Sequence, residues 1–373
     1  MIPTGVVLDV RTVSPRFPGI GRVALGLAGA LAAIGRPTLL HGLTPDPRLP
    51  IPPLEGTACG ASPFALRQQW EVPRLLRRLG ARVYHSPYYL MPLRPGVPSV
   101  VSCFDLIPLV VPGAFDRRRR IAYVVAHRLA FRAAAAVCVP SEATRQDVAR
   151  LFPKAAAKLA VVRPGIAWRR DDPKPRGPGA AGCPRTVLPP RFALHVGGNK
   201  PHKDLAVLLR SWAAALEASP GATAGMTLVL AGPRDPRYPE PARSIERLGL
   251  SRRVADLGPV SDGQLDSLYG GANLFIFPSR REGFGLPLAE AMAHGRPCIC
   301  SDTPALVETA GGAAALFPAG DATALCDRIV RLLSDECEAS RLAALGSARA
   351  ACFDWDTAGR EMAAVYARVV AQG

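Results

Sequence analysis

The sequence predicts an α/β protein made of two halves, each a doubly wound parallel sheet covered by helices on both faces. Short apolar runs alternate with amphipathic stretches along most of the chain, which is typical of parallel strands joined by crossover helices. A segment rich in proline and glycine, residues 167–190, interrupts this alternation and is interpreted as a linker. The length of 373 residues suits two or three domains.

The first half, residues 1–166, begins with a strand-like run at 6–10, followed by a glycine-punctuated loop at 19–22 and an amphipathic run at 23–34. Its later patterns predict helices and buried strands. The helices are expected at 66–79 and 117–136, and the strands at 97–103 and 134–139.

The second half, residues 191–350, repeats the alternation of strands and helices. Its patterns predict strands at 192–196, 227–230, 274–277 and 297–300 and helices at 262–269 and 287–293. Two such sheets predict a cleft between the halves, because ligands of α/β sheets usually bind beyond the carboxyl ends of the strands.

The chain is strongly basic, with 46 lysines and arginines against 30 acidic residues and a net charge of +16. This balance favours an acidic partner, although an arginine-rich coding bias produces the same excess. No finger, RNP-type or basic-zipper pattern occurs, so no nucleic-acid partner is expected. No G-x-G-x-x-G follows the first strand, which argues against a dinucleotide oxidoreductase.

The nine cysteines are scattered and include no C-x-x-C pair, which predicts a reduced intracellular chain. Cys298 and Cys300 alternate within an apolar run and are predicted to pack in a core. No basic region precedes an apolar segment at the start of the chain, and the longest uncharged apolar stretch is residues 23–35. We therefore expect a cytoplasmic protein without a spanning helix.

The strongest motif runs from residue 278 to residue 295, directly after a predicted strand. Gly283 and Gly285 allow a tight turn and a close approach of the backbone to a ligand. Pro287 suits the start of a helix and Gly295 its end. The amides at such a helix start favour an anion.

Two carboxylates flank this turn. Glu282 lies on the loop, and Glu290 lies on the helix eight residues later. One carboxylate can therefore reach one end of a polyhydroxyl ligand while the other reaches a second end. The alternative is structural, with a solvated Glu282 and with Glu290 paired to a nearby arginine.

The motif resembles the E-x7-E signature of retaining glycosyltransferases of family 4, which have the GT-B fold of two Rossmann-like domains facing a cleft. Trp355 and Tyr366 resemble the last helix of that family, which commonly crosses back to the first domain, so residues 351–373 are assigned to it. Further matching segments occur in family order at 19–22, 85–87, 105–108, 140–144, 164–165, 196–205, 257–262 and 301–308.

The resemblance implies a role for each matching residue. Glu282 would hold hydroxyls of the donor sugar, Glu290 would accept from the ribose hydroxyls, and Lys203 would neutralise the diphosphate. Such a cation stabilises the charge that develops on a nucleoside diphosphate as it leaves. The other expected donor contacts are Gly197, Gly198, Lys200, Gly283, Phe284, Gly285 and Leu286, with Gly19 and Gly21 facing the phosphates from the opposite half.

The sequence departs from the family pattern in two places. Gly198 and Asn199 stand where an arginine is common, and Phe104 stands where a histidine usually precedes Asp105. Asp105 is then the best remaining polar group on this strand end, predicted to bind acceptor or sugar, to act as a base, or only to cap a loop. His85, at a predicted strand end, is predicted either to contact the acceptor or to be a buried structural residue.

No metal or other cofactor is expected. One D-x-D match, Asp354 and Asp356, stands before the last helix and is interpreted as a helix cap. The pattern at 199–203 resembles bacterial mannosyltransferases of polysaccharide assembly, which suggests GDP-mannose as donor and a glycan or lipid-linked acceptor. The alternative is a nucleotide-sugar-binding or scaffold protein of the same fold with impaired turnover.

Arginines are concentrated in the first half. Arg117 to Arg120 form an unbroken run ahead of apolar residues, and a second basic stretch lies at 74–82. Such stretches predict peripheral contact with an anionic membrane at the inner face of the cytoplasmic membrane. The alternative is an ordinary packed helix whose arginine stems cover apolar surface.

Overall fold

The computed structural model describes residues 5–13, 18–34, 40–44, 54–111, 116–166 and 189–372. The chain divides into two compact units. The first comprises Met1–Ala167 and Phe353–Gly373, and the second comprises Trp168–Cys352. Residues 167–188 of the predicted linker lie outside the described residues.

The first unit contains a seven-stranded parallel sheet in the order β3-β2-β1-β4-β5-β6-β7. Its strands are β1 (Val6–Asp9), β2 (Leu40–Thr44), β3 (Glu55–Ala58), β4 (Val83–Ser86), β5 (Ser99–Ser102), β6 (Ala136–Val139) and β7 (Leu159–Val161). Its helices are α1 (Pro18–Ile34), α2 (Gln68–Arg78), α3 (Ile107–Val110), α4 (Arg117–Ala133), α5 (Glu142–Leu151) and the terminal helix, α13 (Trp355–Ala371).

Helices cover both faces of this sheet because successive strand residues point to opposite sides. On one face, Val6 and Leu8 pack with residues of α1 and α13. On the other face, Val7 packs in a cluster that includes residues of α2, α4 and α5. The terminal helix therefore belongs to the first unit, although it follows the second unit in the chain.

The second unit contains a six-stranded parallel sheet in the order β10-β9-β8-β11-β12-β13. Its strands are β8 (Arg191–Val196), β9 (Met226–Ala231), β10 (Val254–Gly258), β11 (Leu274–Phe277), β12 (Cys298–Ser301) and β13 (Ala315–Phe317). Its helices are α6 (Leu205–Ala218), α7 (Glu240–Arg247), α8 (Asp262–Gly271), α9 (Leu286–Ala293), α10 (Pro304–Ala310), α11 (Ala322–Ser334) and α12 (Glu336–Ala350).

The strand order reverses once in each sheet, between β1 and β4 and between β8 and β11. At such a switch point the two loops that follow neighbouring strands run in opposite directions and leave a crevice, where α/β sheets bind ligands. In the second unit this crevice lies between the loop after β8 and the loop after β11.

The strongly apolar strands and the helix after Phe277 are confirmed, but two local predictions were wrong. Gly19 and Gly21 lie in the first turns of α1 rather than on a loop before it. The helix predicted over 117–136 ends at Ala133, because the chain turns into β6 there. Cys298 and Cys300 are fully buried in the core, as predicted.

Asp354 caps the terminal helix, accepting a hydrogen bond from the Thr357 amide at 2.8 Å, as the capping interpretation of this segment predicts. In the described part of the chain, no helix combines the length and apolar character that crossing a bilayer requires.

Candidate active site

The motif at 278–295 forms the loop and helix on one side of the switch point of the second unit. Strand β11 ends at Phe277, Glu282 lies on the following loop, and α9 begins at Leu286. The loop after β8 forms the other side and carries Lys200 and Lys203, the latter in a short 3₁₀ turn at Pro201–Lys203. The sheet topology thus places both predicted donor loops at one crevice.

Lys203 and Glu282 form an ion pair across this crevice. The Lys203 Nζ donates to Glu282 Oε1 at 2.6 Å, and the two side chains are only 16% and 11% exposed. The ammonium also lies 5.0 Å from the centre of the Phe277 ring. The two groups that sequence reasoning assigned to diphosphate and sugar therefore neutralise each other in the structure.

The electrostatics of Glu282 follow from this pair. Burial favours the neutral carboxyl, but the Lys203 ammonium, His202 and Ser279 together outweigh burial. They hold the pKa of Glu282 below its ordinary value. Burial lowers the pKa of neighbouring His202 to about 4, so that its imidazole is neutral at pH 7. Lys203 is thus the cation that faces Glu282 in this turn.

Gly285 sets the start of α9. Its φ of 102° lies in the left-handed region, and a Cβ there would stand 2.5 Å from Leu306 Cδ2. The turn is held further by Thr309, whose hydroxyl donates to the Phe284 carbonyl at 2.6 Å. This conformation directs the positive end of the α9 dipole toward the crevice.

Glu290 lies one turn into α9 and is buried. The hydroxyl of Tyr269, on α8, donates to its Oε2 at 2.8 Å. His294, which follows the last residue of α9, pairs with Asp266 of α8 through Nε2 at 3.0 Å. Helix α8 therefore orients the second carboxylate of the motif, a role that sequence spacing could not show.

At the position where the family often has an arginine, the loop after β8 has Asn199. This residue adds no charge but stabilises the loop by hydrogen bonds. Asn199 donates to the carbonyls of Asp235 and Tyr238 at 2.9 and 2.7 Å, and its Oδ1 accepts from the Asp235 amide at 2.6 Å. Beneath the loop, His195 is buried with Nδ1 on the Ile276 carbonyl at 3.1 Å, and burial lowers its pKa to about 3. Asn199 thus ties this loop to the one after β9.

Arg234 supports the same loop and was missed by sequence reasoning. Its Nη1 donates to the carbonyls of Gly232 and Gly197 at 3.0 and 3.4 Å, while Asp256 of β10 holds the guanidinium by a bidentate contact. Gly232, at a φ of 139°, lets the backbone pass close to Gly197. The A-G-P-R sequence after β9 was the available signal.

Of the two alternatives weighed for His85, its burial and hydrogen bonds favour the structural one. His85 is buried, its Nδ1 lies 2.6 Å from the Tyr366 hydroxyl and its Nε2 lies 2.8 Å from the Ser102 hydroxyl. Burial lowers the pKa of His85 to about 3. With both nitrogens engaged, the ring joins β4 and β5 to the terminal helix.

Asp105 and Phe104 follow β5 in the first unit. Asp105 Oδ1 accepts from the Ile107 amide at 3.0 Å, which is the capping contact weighed as one alternative. Phe104 lines an apolar cavity of the first unit together with Pro87, Trp355 and Met362. The ring at the position of the family histidine therefore faces an apolar cavity.

A network of buried polar groups, which was not predicted from the sequence, lies at the end of β1. Arg11 donates to both carboxylate oxygens of Asp9, at 2.8 and 2.5 Å, and to the Ala61 carbonyl at 2.7 Å. The Tyr84 hydroxyl donates to Asp9 at 2.6 Å. The D-x-R spacing after the first strand was the only local signal for it. The network joins β1 and β4 to the loop after β3.

Within the described ranges, no three or more His, Cys, Asp or Glu side chains are grouped so that they could hold a metal ion.

The chain has two parallel α/β sheets, and the loops at the switch point of the second carry acidic residues, lysines and glycines. This is the architecture of a GT-B glycosyltransferase, and comparisons with known proteins agree with this class. Residues 18–169 match the model described as Glycosyltransferase Family 4, and residues 190–335 match the model described as Glycosyl transferases group 1. Together these matches cover most of the chain. The chain belongs to glycosyltransferase family 4.

Sequence identity to individual relatives is low. O-antigen chain mannosyltransferase B of Escherichia coli is 28% identical over 297 residues, covering 78% of this chain and 74% of the relative. D-inositol 3-phosphate glycosyltransferase of Streptomyces avermitilis is 31% identical over 229 residues, covering 59% and 49%. The chain thus spans about half the length of the inositol phosphate relatives that it matches.

Solved structures share the fold. Sucrose-phosphate synthase from Thermosynechococcus elongatus superposes with a TM-score of 0.77 at 21% identity over the full length of both chains. Anabaena HepE in complex with UDP and glucose gives 0.73 at 19%, covering 98% of this chain and 100% of its own. WaaG, a glycosyltransferase involved in lipopolysaccharide biosynthesis, gives 0.72 at 16%, covering 96% and 98%.

Proposed function

We propose that this protein transfers a hexose, with mannose as the first choice, from a nucleotide-diphosphate sugar to a glycan or lipid-linked acceptor, with retention at the anomeric carbon. The observation that carries the proposal is the Lys203–Glu282 pair at the switch point, next to the start of α9. A cation, a helix start and a carboxylate at one crevice suit a ligand that joins a diphosphate to a polyhydroxyl ring.

In this proposal each group acts on a different part of the donor. Lys203 and the start of α9 stabilise the charge that grows on the diphosphate as the sugar leaves. Glu282 accepts hydrogen bonds from sugar hydroxyls, and Glu290, oriented by Tyr269, accepts from the ribose. Lys200 and the loop glycines Gly197 and Gly198 complete the diphosphate contacts.

The choice of donor and acceptor draws on relatives and on sequence. The mannosyltransferase of Escherichia coli supports mannose as the sugar, and the pattern at 199–203 suggests GDP-mannose as the donor. The acceptor is assigned to the first unit, where Asp105 stands at the end of β5. No metal takes part in the proposed reaction.

The test is a donor panel. The purified protein, with lipid-linked oligosaccharides as acceptors, is incubated with GDP-mannose, UDP-glucose or UDP-N-acetylglucosamine, with and without EDTA. We expect product from GDP-mannose alone, unaffected by EDTA, with an anomeric configuration equal to the donor's by NMR. A folded protein that yields no product from any donor would count against transfer.

Phe104 favours one competing function, a nucleotide-sugar-binding protein with impaired turnover. The aromatic ring lines an apolar cavity where the family usually has an imidazole. This alternative expects the wild-type protein to bind sugar nucleotides without forming product. It also expects Phe104→His to leave transfer absent.

We propose further that α4 contacts an anionic membrane. The helix contains six arginines and no acidic residue. Ile121, Val125 and Leu129, each four residues apart, are 55%, 46% and 44% exposed on its outer side, while Tyr123 and His127 face the core. Apolar side chains flanked by arginine suit an acidic lipid surface, where each basic residue contributes about 1 kcal/mol.

Vesicle sedimentation checks the α4 proposal. Wild-type protein should bind phosphatidylglycerol vesicles and not pure phosphatidylcholine, and 0.5 M salt should release it. V125D/L129D should bind at least about tenfold more weakly, because it removes apolar contacts and adds repelling charge. The control is Leu345→Asp, at a residue of the second unit that is 42% exposed. Equal binding by all three proteins would exclude α4 as the contact.

A further inference from the structure

We propose that Glu282 makes the empty site discriminate against a bare nucleoside diphosphate, so that the same carboxylate that holds the donor sugar also promotes release of the product. The inference rests on the proposed function and concerns the residue that selects the sugar-bearing nucleotide. It is carried by the contact between Lys203 and Glu282 in the ligand-free site.

The pair is short and largely removed from water. Its atoms lie 2.6 Å apart, and the side chains are 16% and 11% exposed. Removing one partner of such a pair from the other is costly, because the group left behind keeps a desolvated charge. Any ligand that binds Lys203 must therefore also provide a new partner for the Glu282 carboxylate.

A bare nucleoside diphosphate meets this requirement poorly. Its phosphates draw Lys203 away from Glu282 and place further negative charge beside the carboxylate. In the ligand-free site the neighbouring imidazole of His202 is neutral at pH 7, because burial lowers its pKa to about 4. The product thus binds beside a repelling carboxylate that has lost its counter-ion.

A sugar nucleotide meets the requirement fully. Its phosphates take Lys203, while the hydroxyls of its sugar donate to Glu282 and replace the ammonium as partners of the carboxylate. The bound donor therefore leaves neither charge without a partner. The sugar ring, rather than the nucleotide, compensates for opening the ion pair.

Transfer reverses this balance. The bond between the anomeric carbon and the diphosphate oxygen breaks, a bond from that carbon to the acceptor oxygen forms, and the acceptor's hydroxyl proton passes to the leaving phosphate or to solvent. Once the glycosylated acceptor departs, Glu282 has lost its hydroxyl partners. Return of Lys203 to Glu282 then competes with the nucleoside diphosphate and favours its release.

Calorimetric titration at pH 7 tests this inference on the full chain. GDP, UDP, GDP-mannose and UDP-glucose are titrated into the wild type and into Glu282→Gln, which keeps the shape and removes the charge. We expect the variant to bind bare diphosphates about tenfold more tightly, the scale of one relieved charge contact. We expect it to bind sugar nucleotides more weakly, so that the preference for the sugar-bearing ligand is reversed.

Two further variants separate this effect from general causes. Glu240→Gln removes an exposed charge on α7 of the same unit and should leave all affinities unchanged. Glu282→Ala should also tighten the binding of bare diphosphates, which covers the case in which glutamine disturbs the loop.

The outcomes distinguish the inference from the function on which it rests. If both Glu282 variants bind bare diphosphates no more tightly than wild type, while wild type binds and uses sugar nucleotides, the inference is wrong and the proposed function stands. If wild type binds no nucleotide of either kind, both are wrong.

Discussion

Replacing Lys203 by methionine should lower turnover by about 10²–10³-fold, the usual effect of removing one preorganised donor from a developing anion. Methionine keeps most of the side-chain volume but removes the ammonium that lies 2.6 Å from Glu282. The charge on the departing diphosphate then lacks its main side-chain partner in the proposed site. Initial rates at saturating donor and acceptor measure the effect.

Two comparisons decide what causes the loss. Lys203→Met also leaves Glu282 without its counter-ion, so the double variant K203M/E282Q restores local neutrality. If the double variant recovers rate, the unpaired carboxylate rather than the missing cation caused the loss. Arg210→Met, an exposed position on α6, removes a positive charge from the same unit and should keep full activity. A fully active Lys203→Met protein would remove the basis of the proposed site.

Replacing Arg11 by methionine should destabilise the first unit by about 3–5 kcal/mol, because it leaves the Asp9 carboxylate buried without its counter-ion. The guanidinium donates to both carboxylate oxygens, to the Ala61 carbonyl and to Gln68 Oε1, so four acceptors lose a donor. Hydrogen exchange in β1 and β4 should become at least about 100-fold faster, since each 1.4 kcal/mol is a factor of ten.

An exposed pair of similar geometry provides the control. Arg145 donates to both oxygens of Glu142 at 2.7 Å on the surface of the same unit. Glu142→Gln should leave exchange in β1 and β4 unchanged, since exposed ion pairs contribute little. D9L/R11M, which removes both charges, should recover part of the stability. Equal exchange in Arg11→Met and Glu142→Gln would show that burial of the Asp9–Arg11 pair does not matter.

Local sequence predicted the second donor loop well. Gly285 and Pro287 restrict or free the backbone around them, and this effect does not depend on distant residues. The structure has a turn and a helix start at these positions. The position of Glu282 on the loop and Glu290 on the helix follows from the same spacing. Both predictions used interactions that span only a few residues.

Local sequence was less informative about what each polar group contacts. Asn199 looked like a missing arginine, yet it ties its loop to residues 36 and 39 positions later. His85 looked able to face an acceptor, yet Tyr366, 281 positions away, covers it. Burial and partner identity depend on elements that the fold brings together, which periodicity does not encode.

The sequence alone therefore determined the alternation of strands and helices, the two halves, the family and the loops that carry the acids and lysines. Tertiary structure decided that Lys203 and Glu282, 79 positions apart, neutralise each other at a switch point, and that Tyr269 orients Glu290. The physical reason is range: backbone propensities act between neighbours, whereas the charge state and hydrogen bonding of a buried group depend on whichever distant segment packs against it.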